Sequence, residues 1–199
     1  MMHRLLMVLL LVGLIAGQAG IGSTAYFNDA EPNAGNNFGA SWESSWGYLY
    51  PDSGVDKTDA TYNLSSADLG KLKDSDDQRY KVGAKWGDSY SDAVYLVFTF
   101  PDIPAGATVM QVLITMEWQR GPHLDAARLK VFDGLGSEQI YTLTVPPTQN
   151  QDFSETIDVS AFIDTAQKVN NIEVWFQAMG SKGDTTEHDL VEVRANYHL

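Results

Sequence analysis

A period of two runs through most of this chain. Met110, Val112, Ile114, Met116 and Trp118 alternate with Gln111, Leu113, Thr115, Glu117 and Gln119. A helix, turning about 100° per residue, would scatter that apolar set around its surface; a strand places all of it on one side. The same alternation recurs at Ala127, Leu129 and Val131 against Arg128 and Lys130. It recurs again at Ile172, Val174, Phe176 and Ala178 against Glu173 and Gln177, and at Asp189, Val191, Val193, Ala195 and Tyr197 against Leu190, Glu192, Arg194 and Asn196. The run 93–100, AVYLVFTF, is nearly continuous in β-branched and aromatic residues and reads as a central strand. Weaker strands are expected over 79–86, 139–144 and 153–158.

Turn formers separate these runs: Pro101 to Gly106, Arg120-Gly121-Pro122, Asp133-Gly134, Pro146-Pro147 and Gly180 to Asp184. Only residues 66–73 and 160–167 suit a helical turn or two. Eight or nine half-apolar strands must cover one another's apolar faces. The expected class is therefore all-β, a two-sheet antiparallel β-sandwich with jelly-roll-like topology, following an N-terminal signal peptide.

The signal peptide is read from the first residues. His3 and Arg4 precede an apolar stretch from Leu5 to Ala16, too short for the roughly 20 residues that span a bilayer. Ser23-Thr24-Ala25 offers a small-x-small cleavage site, placing the cut between Ala25 and Tyr26. The expected organisation is signal peptide 1–25, a leader or donor segment 26–45, and one sandwich domain 46–199. The location implied is secreted, extracellular or attached to the cell surface.

Two resemblances bear on what such a protein does. Ala25-Tyr26-Phe27-Asn28-Asp29, followed by Asn36-Asn37-Phe38, resembles the SipW-dependent class of signal peptide, which serves TasA- and camelysin-like proteins. That resemblance implies processing by a SipW-type signal peptidase and a role in a surface filament or biofilm-type matrix. It further implies assembly through the freed N-terminus, by β-strand addition to a second subunit or to other matrix proteins. Tyr26, Phe27 and Phe38 would be the subunit contacts. The run 94–118, VYLVFTFPDIPAGATVMQVLITMEW, and the later IDVSAFI at 157–163 resemble DNRLRE-type and related jelly-roll domains of secreted surface proteins. Domains of that type are binding or structural modules and not catalysts.

Composition narrows the partners. The chain carries 26 Asp and Glu against 13 Lys and Arg, a formal charge of −13. Such a surface repels nucleic acid and favours cations. With no cysteine, stability comes from packing rather than disulfides. Calcium is the metal these loops suit, because Asp74, Asp76 and Asp77 form a dense cluster of the hard oxygens it requires. A second acidic group, Asp184, Glu187 and Asp189, precedes the last strand. No other cofactor is called for. The histidines His123, His188 and His198 are scattered, no nucleophile motif is present, and no carboxylate pair stands out, so the chain reads as non-enzymatic. Asn63-Leu64-Ser65 is a glycosylation sequon. Sugars stack on Trp and Tyr rings with polar groups beside them. Trp42, Trp46 and Trp86, in a segment that also holds Tyr48 and Tyr50, are the stacking candidates. The leading expectation is an extracellular structural protein. The alternative is a calcium-stabilised carbohydrate-binding module that attaches to cell-wall or matrix polysaccharide.

Overall fold

The computed structural model describes residues 44–58, 60–181 and 183–199. The cleavage site at Ala25 and Tyr26, the contacts Phe27 and Phe38, and Trp42 lie outside the described residues. The described chain forms thirteen elements: β1 (Ser45–Leu49), β2 (Ser53–Asp56), β3 (Tyr62–Asn63), α1 (Ser66–Gly70), β4 (Tyr80–Lys81), β5 (Leu96–Thr99), β6 (Thr108–Arg120), β7 (Ala126–Phe132), β8 (Glu138–Leu143), β9 (Phe153–Asp158), α2 (Ala166–Asn170), β10 (Glu173–Met179) and β11 (Thr186–His198). Among the described residues no helix is long and apolar enough to cross a membrane.

The strands make two antiparallel sheets. One has the order β1-β11-β6-β9, with β4 also on β11; the other has the order β3-β2-β5-β10-β7-β8. Successive strands change sheet repeatedly, as the jelly-roll expectation requires. The inward sets found by alternation make the core: Val112, Ile114, Met116 and Trp118 of β6 and Val191, Val193 and Ala195 of β11 meet Ala127, Leu129 and Val131 of β7 and Val174, Phe176 and Ala178 of β10. Aromatic edges join the sheets. Phe176 meets Trp118 at 5.2 Å and Trp86 at 5.7 Å, both edge-to-face, a geometry that adds about 1 kcal/mol per pair beyond burial.

Two small devices fix the connections. The β7–β8 turn folds on Asp133, whose carboxylate accepts the Leu135 and Ser137 N–H groups, while Gly134 takes φ +68°. The 101–106 turn is clamped by Asn170 of α2, whose amide accepts from Ile103 N at 2.8 Å and donates to Ile103 O at 2.9 Å.

The structure departs from the sequence reading in four places. The expected 79–86 strand shrinks to Tyr80–Lys81, because the Gly83 and Ala84 N–H groups leave the ladder for the side chains of Asp56 and Thr58 before Trp86 N returns to Asp184 O. The helix expected from Ser160 begins at Ala166, capped by Thr165; Ser160 instead bonds Asp158 and the Val112 backbone. Met110 does not join the apolar face of β6. A bulge between Asn196 and Tyr197 leaves it unpaired and exposed. Strands β1 and β2 lie in a segment with no strand signal.

Candidate functional site

The outer face of the five-stranded sheet carries a row of aromatic rings beside a polar field. Alternation in β1 turns Gly47 inward against Tyr197 and sends Trp46 and Tyr48 outward, where they are 40% and 56% exposed. Tyr50 continues the same side, half-buried; burial first, and then the adjacent Glu192 carboxylate, raises its phenol. Side chains two residues apart on a strand stand about 7 Å from each other.

Register sets the polar groups. Trp46 lies beside Asn196, which lies beside Gln111. Tyr48 lies beside Arg194, then Leu113, then Asp158. With strands about 4.8 Å apart, each row reaches about 10 Å from β1 to β6. Gln111 Nε2 donates to Asp158 Oδ2 at 3.1 Å, and the Thr115 and Thr156 hydroxyls share a bond of 3.0 Å. The Ser160 hydroxyl and N–H hold the Asp158 carboxyl below the usual range, so it is an acceptor at neutral pH. Among the described residues, Asn196 Oδ1 and Arg194 Nε have no hydrogen-bond partner although both are shielded from solvent. Arg194 Nε lies 3.1 Å from Glu192 Oε1, close enough for ion pairing but without hydrogen-bond alignment. Exposed rings beside a polar strand face are the chemistry that holds a sugar: a ring for its apolar face, polar groups for its hydroxyls.

Other surfaces are less open. On the outer face of the six-stranded sheet, Trp175 stacks on Tyr95 at 3.7 Å, with Lys57 over Tyr95 and Lys130 beside Trp175. Those rings are already covered. A cavity of about 300 Å³ is lined by Asp56, Thr58, Tyr62, Tyr80 and Gly83. Asp56 spends its carboxylate there on Thr58, Tyr80 and Gly83, leaving little to offer a ligand.

Of the two expected stacking residues that the structure describes, Trp46 stands on this face. Trp86 is a correction: it is 1% exposed, packs on Phe176 and donates Nε1 to Thr186, so no sugar can reach it. It closes the core from the segment that follows β4, where its backbone bridges to Asp184. Asp77 comes together with Asp152 and Asp189, whereas Asp74 is exposed and Asp76 is spent on Gln78. Asn63 is exposed on β3. His188 is fully buried among Trp118 and Phe176, where desolvation pushes its imidazole down to about 3. It is neutral at pH 7 and out of reach of solvent. Sequence reasoning missed Arg194, Asn196, Gln111 and Asp158, which read as an ordinary solvent face.

No protein-family model matches the chain. No curated protein matches it. Among solved structures it is similar to a xylan-binding module, CBM15, at 18% identity and a TM-score of 0.41, over 78% of this chain and 97% of that one. At that identity and score the likeness transfers no residue role.

Proposed function

We propose that the protein is a non-enzymatic carbohydrate-binding module whose outer sheet face takes a polysaccharide strand. One observation carries this: Trp46 and Tyr48 stand exposed in line on β1, directly beside Asn196 and Arg194 of β11. Two rings in line suit successive units of a chain better than one sugar. The extracellular location expected from the N-terminus gives such a module its targets in cell-wall or matrix polysaccharide. The subunit-linking alternative rests on Tyr26, Phe27 and Phe38, and no described residue adds support to it.

Isothermal titration calorimetry against a panel of soluble plant and bacterial polysaccharides tests the reading. Wild type should bind at least one glycan. Trp46→Ala and Tyr48→Ala should each weaken binding about tenfold or more, with melting temperatures unchanged. Asn196→Ala should weaken it less. Failure of wild type to bind any glycan, or undiminished binding by both aromatic variants, would refute it.

A further inference from the structure

At the opposite end of the same sheet face, three carboxylates from distant parts of the sequence converge. Asp77, Asp152 and Asp189 each offer a carboxylate oxygen within 4.8 Å of the others. The fold brings them there for separate reasons. Asp189 is the extra residue of a β-bulge in β11: His188 pairs with Trp118 and Leu190 with Glu117, leaving Asp189 without a partner on β6. Residues 72–81 run along the other edge of β11, tied by Val191 N to Leu72 O and by the β4 pairing. The loop between these ties carries Asp77, at φ +68°, whose N–H donates to Asp189 Oδ2 at 3.1 Å. Asp152 leads into β9.

The balance of charge there is uneven. Arg79 is the cation that bridges Asp77 and Asp152. Against it stand those two, Asp189, and Glu117, whose carboxyl burial raises and the charges of Asp189 and Asp152 raise further. Asp189 is 1% exposed, and its Oδ1 has no partner among the described residues. A buried carboxylate oxygen without a donor is costly, on the order of several kcal/mol if charged. It belongs to a carboxylate grouped with two others that Arg79 now holds, and a hard divalent ion that displaces Arg79 from Asp77 and Asp152 would meet all three.

We propose that Asp77, Asp152 and Asp189 bind a calcium ion that pins the 74–79 loop to the β11 bulge. The three carboxylates supply part of the six to eight oxygens calcium takes, and water completes them. Magnesium, which demands strict octahedral geometry and gives up its water reluctantly, fits less well. The site is about 20 Å along β11 from Asn196, so the ion stabilises the fold and does not touch the glycan face.

The test uses the full chain, stripped with EDTA and dialysed, then titrated with CaCl2 or MgCl2 by calorimetry and followed by thermal melting. Wild type should bind one calcium. At a hundred times its Kd the melting temperature should rise by about 5–10 °C. Magnesium should do markedly less. Asp77→Asn changes an exposed side chain and should fold; it should bind calcium at least tenfold more weakly. Asp189→Asn should abolish the calcium response. Trp46→Ala should keep it in full, which separates this site from the glycan reading. The absence of binding heat and melting shift in wild type, or unchanged calcium affinity in Asp77→Asn, would overturn the proposal.

Discussion

Asp56 shows how a single buried carboxylate organises a loop. It is 2% exposed and accepts from Thr58 N at 2.9 Å, Thr58 Oγ1 at 2.6 Å, Tyr80 Oη at 2.7 Å and Gly83 N at 2.9 Å. Asp56→Ala would leave the buried donors of Thr58 and Tyr80 without an acceptor and release the Gly83 N–H, an expected loss of about 3 kcal/mol or more in urea denaturation. Tyr80 carries a pH signature. Burial first, then Asp56, raises its phenol well above the ordinary 10. Above pH 10 the unfolded phenol loses its proton while the folded one keeps it. Its contribution is therefore complete below about pH 10 and is lost as the pH rises further. Tyr80→Phe should cost about 1–2 kcal/mol at pH 7 and flatten the fall in stability above pH 10, both read from denaturation midpoints across a pH series.

Glycine positions govern how the elements join. A Cβ on Gly180, at the end of β10, would drive into the backbone carbonyl of His123, with Leu124 Cα also at 3.1 Å. Backbone cannot swing aside as a side chain tip can, and Asp125 N is tied to Met179 O at 2.9 Å in the same crossing. Gly180→Ala should therefore cost about 2 kcal/mol or more in thermal or urea unfolding. Legibility also divides by element. β6, β7, β10 and β11 were readable because each buries one face, and burial writes a period of two into the sequence. β1 was not: SWGYL has both aromatic positions outward and glycine inward, inverting the usual pattern of an edge strand. β4 was overextended because a run of strand-like residues says nothing about where its N–H groups bond. In the candidate glycan face Trp46 could be named in advance and Tyr48 only as its aromatic neighbour, while Trp86, named with Trp46, is core. Arg194 and Asn196 could not, since a polar residue on a strand's outer face is the default. Asp77 and Asp189 were each visible as members of separate acidic loops, but a bulge has no sequence signature that would have joined them.

For the whole molecule, the distribution of the core carries the strongest expectation. The described residues cluster as one compact unit, and every buried apolar residue among them lies between Leu49 and Ala195. Trp118, His188 and Phe176 tie the two sheets at the centre, so neither sheet can open without exposing the other's apolar face. The sandwich should unfold in one cooperative step, with tryptophan fluorescence and far-ultraviolet circular dichroism giving coincident transitions. The first strand begins at Ser45, and its pairing to β11 runs from Ser45↔Tyr197 to Leu49↔Val193. A chain of residues 44–199 holds every described group of the proposed glycan face and of the carboxylate triad. It should fold alone, with a melting temperature within a few degrees of that of the longer chain. It should also bind the same polysaccharide with the same affinity. A chain of residues 50–199 lacks β1 and with it Trp46 and Tyr48. It exposes the edge of β11 to solvent and should lose both stability and glycan binding. Calorimetry on the two chains distinguishes a binding face built into the sandwich from one that requires the preceding segment. Loss of glycan binding in residues 44–199 with folding intact would show that residues before Ser44 complete the site.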